Sequence, residues 1–295
     1  MLVSLDRVEQ PGHILADGLS TSATMFAVPR LRPNEPVPPL LRQSCLGATV
    51  ATFGETDRLC ALIWIKVERR DSADCSVRLI FCLAAEVTTK KEAVELTFLG
   101  TRGEIKLHSR RHQRHSALLI EHEDARLMID CGADWLGRLH AIAPTAIMLT
   151  HAHPDHAGGL AQGAPCPVYA TKETLRLLRR FPIRDRRSMP LKRSVTIGGI
   201  RFKAYPVEHS IRAPAVGYRV SANAETFFYL PDVAKLPNPS DALYGVGVYI
   251  GDGATMQRSM VRMKEGTLIG HAPITAQLDW CVKAQVHRAR APNSG

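Results

Sequence analysis

The chain has 295 residues, 45% of them hydrophobic and 22% charged, with 38 Lys and Arg against 28 Asp and Glu for a formal charge of +10. That length fits one large α/β domain or two of ordinary size, and the composition excludes an intrinsically disordered chain. The longest apolar run, Cys60 to Val67, is broken by Lys66 and falls far short of the roughly 20 residues that span a bilayer, so no transmembrane helix and no membrane partner are expected. The opening MLVSLDRVEQPG brings acids early and no continuous apolar segment, which reads against a secretory leader and for a cytoplasmic location. The 7 cysteines are scattered, with no Cys-x-x-Cys pair, and suit reduced thiols rather than a disulfide framework or a thiolate zinc site.

In chain order, prolines crowd residues 29–39, which prevents regular helix and disfavours a central strand. Three strands are expected within Leu46–Phe53, Leu59–Val67 and Val77–Leu83, in a stretch that carries no motif. The excess of basic residues lies wholly beyond residue 94, as does every histidine except His13. Residues 1–94 therefore read as an N-terminal extension of unknown role, and residues 95–295 as the domain that holds the chemistry. There, Val94–Leu99, Ser116–Glu121 and Arg126–Ile129 read as a β-meander with a turn at His122–Asp124. A buried run, Ala143–Thr150, leads into His151, then to glycines that open a helix. Val168–Ala170 is a short strand, and Thr171–Phe181 reads as a basic amphipathic helix capped by Thr171. Val195–Ile197, Arg201–Pro206, Ala215–Val220 and Glu225–Leu230 follow as strands, giving an α/β pattern.

The strongest chemical signal is His151-Ala-His153-Pro-Asp155-His156, four candidate ligands within six residues directly after a buried strand. Neutral imidazole with carboxylate suits Zn²⁺, Fe²⁺ or Mn²⁺. Side chains at i and i+2 converge from an extended segment, and the turn at Pro154 brings Asp155 and His156 toward a neighbouring point, so one loop can feed two metals.

HAHPDH resembles the His-x-His-x-Asp-His signature of the metallo-β-lactamase superfamily. The resemblance extends over about 95–289, with LTFLGTRG and SALLIEHEDARLMIDCG similar to the family's opening hairpins, His209 in YPVEHS in the place of the next ligand, and Asp232 in FFYLPD in that of the bridging acid. VEHSIRAPAVGYRV followed by FFYLPD is most similar to the phosphodiesterase branch, which includes ribonuclease Z and the cyclic-phosphate phosphodiesterase of phosphonate breakdown. The resemblance implies an αββα sandwich and a metal-dependent phosphodiesterase using a metal-bound hydroxide, with one or two Zn²⁺ ions as cofactor, Mn²⁺ or Fe²⁺ being alternatives. It implies one metal on His151, His153 and His209, a second on Asp155 and His156, and Asp232 bridging both. Asp155 and His271 are the residues it assigns to catalysis. His271, in IGHAP, matches a histidine that protonates the leaving oxygen, with a metal ligand or a helix cap as the alternative reading. Asp130 would orient a ligand imidazole or else cap the turn at Gly132, and Asp252 would fix His271 or serve only as a turn residue.

The chain departs from the branch at its end. The branch's final ligand is a histidine on a strand, and its register falls on Asn293 in a basic, proline-containing tail, so the sandwich reads as C-terminally incomplete and the second metal as weakly held. Basic residues cluster at Arg102, Lys106, Arg110, Arg111 and Arg114, and again from Arg176 to Arg193. They read either as a solvated face or as an attractor of a small-molecule or nucleotide phosphodiester, with nucleic acid and a homodimer as further partners to test. Aromatic residues make up 6%, which does not support single-strand reading by stacking. The alternatives are a thioester or lactone hydrolase on the same site, or a catalytically impaired metal-binding homologue.

Overall fold

The computed structural model describes residues 94–104, 113–223 and 225–289, the last five by backbone only, together with the strand backbones at 25–29, 49–50, 61–70 and 74–83. Alternation builds its first fully described strand. In Val94–Gly100, Val94, Leu96 and Phe98 are buried while the residues between them are half-buried, the period of two that a pleated strand imposes.

In chain order the strands are β1 (Met25–Pro29), β2 (Thr49–Val50), β3 (Ala61–Arg70), β4 (Asp74–Leu83), β5 (Val94–Gly100), β6 (Ala117–His122), β7 (Ala125–Ile129), β8 (Ala146–Met148), β9 (Val168–Ala170), β10 (Arg186–Ser188), β11 (Ser194–Ile197), β12 (Ile200–Val207), β13 (Ala215–Ala222), β14 (Glu225–Tyr229), β15 (Val248–Asp252), β16 (Arg262–Lys264) and β17 (Thr267–Ile269). The helices are α1 (Leu139–Ile142), α2 (Pro154–Ala157), α3 (Lys172–Leu177), α4 (Pro239–Leu243) and α5 (Ile274–Ala289). A nine-stranded sheet runs β10-β9-β8-β7-β6-β5-β4-β3-β2, a six-stranded sheet runs β1-β15-β14-β13-β12-β11, and β16–β17 form a separate hairpin. Among the strands expected before residue 94, those at 61–70 and 74–83 pair antiparallel with each other, and the second pairs with β5.

The two large sheets face each other across one apolar layer. Leu96, Leu118, Ile120, Leu127, Ile129 and Met148 of one meet Ile200, Phe202, Val216, Tyr218, Phe227 and Ile250 of the other. Outside the first sheet, Met128, Ile147, Leu149 and Val168 are covered by Trp135, Leu139, Leu160 and Leu178. Outside the second, Tyr205, Phe228, Leu230 and Tyr249 are covered by Leu243 of α4 and by Ile274 and Ala284 of α5. Sheet faces that are apolar on both sides require cover on both sides, and the result is the αββα order that the resemblance implies. Among the described residues, no helix is long and apolar enough to cross a membrane.

Two elements are shorter than the pattern predicts. The apolar run from Ala143 yields strand only at 146–148, because Ala143 takes a left-handed conformation (φ 51°) that closes α1. The helix capped by Thr171, whose side chain accepts from the Thr174 N–H, ends at Leu177 rather than Phe181. Its end is met by Arg186, whose guanidinium donates to the carbonyls of Leu175, Leu178, Phe181 and Ile183. Helix-terminal carbonyls need such partners. The region expected at Asn293 lies outside the described residues.

Candidate metal centre

The carboxyl ends of five strands meet at one edge of the sandwich, the edge where α/β sheets place their ligands. Asp130 follows β7, His151 follows β8, His209 follows β12, Asp232 follows β14, and Asp252 is the last residue of β15 rather than part of the turn beyond it.

Asp130 is wholly buried and takes a positive φ of 61°. The turn aims its carboxylate across to the next loop, where it accepts from the Thr150 N–H (2.8 Å), from the Thr150 hydroxyl (2.8 Å to Oδ2) and from His156 Nδ1 (2.9 Å). His151 and His153 come from extended backbone. Pro154 then starts α2, and its single turn lifts Asp155 and His156. The loop is pinned from below, since Cys131 N–H donates to the His156 carbonyl (2.7 Å) and Gly159 N–H to the Cys131 carbonyl (2.8 Å). Gly132 permits this approach, because a Cβ there would meet the Asp155 carbonyl oxygen at 2.1 Å.

The side chains converge in three overlapping groups that share Asp232. His151, His153, His209 and Asp232 form one, Asp155, His156 and Asp232 a second, and Asp232, Asp252 and His271 a third, each with its ligand atoms within 4.8 Å of one another. His151 Nε2 lies 3.0 Å from His153 Nδ1, and His209 Nε2 lies 3.4 Å from the same atom. Asp232 Oδ2 lies 3.2 Å from His209 Nε2, 3.2 Å from His156 Nε2 and 3.5 Å from His151 Nε2.

These contacts identify what the groups fit. The Nδ1–H of His209 donates to the Gly270 carbonyl (3.1 Å), which turns Nε2 toward the Asp232 carboxylate. His156 is arranged the same way, with Nδ1 against Asp130 and Nε2 against Asp232 and Asp155 (3.5 Å). His156 Nε2 and Asp155 Oδ1 are buried without a hydrogen-bond partner. Acceptors that face acceptors in a buried site are stable only around a positive charge. Ligands on a tetrahedron with bonds of ~2.0–2.1 Å stand about 3.3 Å apart, the spacing found here. The residues present therefore fit a divalent metal.

Protonation follows the same logic. Burial and the neighbouring His156 and His209 hold the His151 imidazole well below its ordinary range, and burial with His209 lowers His153, so both keep the neutral form that a ligand needs. Burial opposes charge on His156 too, but Asp232, Asp155 and Asp130 outweigh it and raise its affinity for a proton well above the usual value. Burial likewise opposes charge on Asp232, yet His156 and His209 hold its carboxyl well below the usual range. A proton and a metal compete for the same place at His156.

Beside this cluster, His271 Nδ1 lies 2.7 Å from Asp252 Oδ2, and the ring is 24% exposed. Asp252 is wholly buried and accepts further from the N–H groups of Val233 and Ala254. Burial would lower the His271 imidazole, but the charge and hydrogen bond of Asp252, with Asp232 and Asp155 behind it, push it up to about 9.

All seven candidate residues of the HAHPDH loop, His209, Asp232 and His271 thus lie in one place. The basic clusters are more divided than their spacing predicts. Arg102 is buried and paired with Asp134 (2.5 Å), Arg186 caps α3, and Arg187 is held by Asp185 and the Tyr169 hydroxyl. Lys106, Arg110 and Arg111 lie outside the described residues. Thr150, Ser210 and Gln277 belong to the site and were missed. Ser210 Oγ stands 3.2 Å from His153 Nε2. Gln277 had a signal, being a polar residue on the stripe formed by Ile274, Leu278 and Cys281.

Residues 125–291 match the family described as the beta-lactamase superfamily domain. The chain belongs to the β-lactamase superfamily. Within it, the chain is 28% identical over 166 residues to ribonuclease Z of Methanopyrus kandleri, which covers 50% of this chain and 54% of that protein. It is 35% identical over 79 residues to the anti-Pycsar protein Apyc1 of Bacillus phage 010DV004, covering 25% of this chain and 30% of that one. The chain thus spans about half the length of the first relative and under a third of the second. Among solved structures, a diphosphatase from the PhnP family has 18% identity and a TM-score of 0.42 over 59% of this chain and 70% of that one. The metallo-β-lactamase fold protein YhfI of Bacillus subtilis has 16% identity and a TM-score of 0.39 over 46% of this chain and 60% of that one.

Proposed function

We propose that this β-lactamase superfamily chain is a metal-dependent phosphodiesterase. The observation that carries the reading is the set of acceptors facing one another, His151 Nε2, His209 Nε2 and Asp232 Oδ2 buried and His153 Nδ1 half-buried, with Asp155 and His156 beside them. His151, His153 and His209 would hold one ion, Asp155 and His156 a second, and Asp232 would touch both. Bound divalent metal, Zn²⁺ with Mn²⁺ or Fe²⁺ as alternatives, supplies an acidified water and neutralises charge on phosphate oxygens.

The chain's own residues do the rest. Asp130 fixes the His156 ring through Nδ1 and the Gly270 carbonyl fixes His209, so each presents Nε2 inward. His271 carries a proton at the exposed lip, oriented by Asp252, and delivers it to the leaving oxygen. An acid is needed there because an alkoxide leaves poorly. The similarity to ribonuclease Z supports phosphodiester substrates, nucleotide or nucleic acid, and the formal charge of +10 favours polyanions. The residues invoked lie between 130 and 271. Residues 1–94 are read as an extension without a ligand, the location as cytoplasmic, and a homodimer as the assembly to test.

The test is turnover by the full chain, loaded with zinc or manganese, on bis(4-nitrophenyl) phosphate, cyclic nucleotides, a short RNA, a thioester and a lactone. Metal-dependent cleavage of the phosphodiesters is expected. Cleavage of the thioester or lactone alone, or of none with metal bound, contradicts the reading.

A further inference from the structure

Gln277 lies on the first turns of α5 and is wholly buried. Its amide fills all four of its hydrogen-bonding positions. Oε1 accepts from the Tyr249 hydroxyl (2.9 Å) and from the Asp252 N–H (3.0 Å). Nε2 donates to the Asp252 carbonyl (2.7 Å) and to the Ala272 carbonyl (3.0 Å). Two donors face one end and two carbonyls face the other, so the amide has one orientation that satisfies them.

The identity of these partners is informative. Both backbone polar groups of Asp252 are taken by this one side chain, and of the two remaining bonds one comes from the Tyr249 hydroxyl and the other goes to the residue that follows His271. Other links between the chain at the end of β15 and the segment carrying His271 are the bond between Asp252 Oδ2 and His271 Nδ1, Asp252 Oδ2 accepting from the N–H of Val233, whose carbonyl takes the Ala272 N–H, and three backbone bonds farther along, from Ile274 to Thr255, Thr275 to Met256 and Met260 to His271, none of which holds the backbone of Asp252 itself. The side chain therefore ties the backbone of Asp252 to the peptide that follows His271. The amide is neutral, and it touches neither the metal-ligand group nor the exposed face of His271.

We propose that Gln277 is the positioning residue for the Asp252–His271 pair, holding the His271 ring in the orientation from which it protonates the leaving oxygen. This rests on the role given to His271 above. A group that aids only leaving-group departure matters more as the leaving group worsens. A residue needed only for folding would affect all substrates alike.

Gln277→Met keeps length and apolar volume and removes all four bonds, while Gln277→Glu keeps both acceptor bonds and loses both donors. In the metal-loaded full chain, kcat on diphenyl phosphate, a poor leaving group, is expected to fall ~10–100-fold in Gln277→Met, the range usual for residues that support a catalytic group. On bis(4-nitrophenyl) phosphate it should fall less than about threefold, with KM within about twofold and wild-type metal content throughout. Gln277→Glu should lie between, and Thr275→Ala, on the exposed side of the same turn, should match wild type. A second readout needs no turnover. The low-field proton resonance of His271 Nδ1–H, assigned by its loss in His271→Gln, should be present in the zinc-loaded wild type and shifted or broadened in both Gln277 variants. Equal loss on the two substrates, or an unchanged resonance, overturns the proposal. If the wild type cleaves neither substrate, the phosphodiesterase reading fails and the resonance alone decides the role of Gln277. If Gln277→Met does not fold, Gln277→Glu decides both readouts.

Discussion

Each of the two sheets ends in a buried aspartate that grips the Nδ1 of a histidine, and the two pairs differ in what the other ring nitrogen meets. Asp130 holds His156 at 2.9 Å, and both side chains are wholly buried. Asp252 holds His271 at 2.7 Å, with the aspartate buried and the ring 24% exposed. Inward, His156 Nε2 meets Asp232 and Asp155, a setting that favours a cation. Outward, His271 stands at the lip, where a proton can be exchanged with solvent and substrate. The supports differ as well. Thr150 fastens Asp130 by hydroxyl and backbone, whereas Gln277 fastens Asp252 from a helix outside the sheet. On the roles proposed above, one local device would serve as a ligand where the ring is wholly buried and as a proton donor where it is partly exposed.

Breaking the enclosed side should have the largest effect. His209→Ala removes a candidate ligand and is expected to cost more in turnover than the ~10–100-fold typical of losing a supporting residue, with bound metal falling in parallel by elemental analysis. On the exposed side, His271→Gln should lower kcat ~10²–10⁴-fold while metal content stays at the wild-type level. A parallel loss of metal would move His271 into the ligand set and erase the contrast. Asp130→Asn keeps shape and removes charge, so metal affinity measured against a chromogenic chelator should weaken ~10–100-fold. The corresponding Asp252→Asn should leave that affinity unchanged.

A carboxylate outside both pairs supplies the smallest effect and a control. Burial opposes ionisation of Asp134, but the Arg102 hydrogen bond and His115 hold its carboxyl below the ordinary 3.8. A depressed folded pKa gives stability that is present above about pH 3.8 and lost as pH falls through the lower folded value. Asp134→Asn should therefore destabilise by about 1 kcal/mol near neutrality, judged by urea midpoints, and by less near pH 3, with metal affinity unaltered.

The sequence reveals this comparison unevenly. HAHPDH is readable because its ligands are contiguous, and His209, Asp232 and Asp130 because each ends a strand whose apolar period is plain. The roles of Thr150 and Gln277 are not readable from local pattern, which marks Gln277 only as a polar residue on an apolar stripe, since those roles are hydrogen bonds to residues 20 and 25 positions away. Arginine runs mislead for a related reason. Composition registers charge, but not that Arg102 turns inward to Asp134 or that Arg186 turns back onto the carbonyls of α3 and so ends that helix early. The order of the layers follows from apolar alternation, while the ends of α3 and β8 depend on a distant guanidinium and on a left-handed alanine.

The central claim is that the converging acceptors of His151, His153, His209 and Asp232 exist to hold a divalent metal. Its most direct test is elemental analysis of the full chain after loading with zinc and desalting, alongside His153→Ala. The account predicts at least one tightly held ion per wild-type chain and a sharp loss in the variant, with both proteins folded by circular dichroism. A folded wild type that retains no metal, or a variant that retains as much, would contradict it.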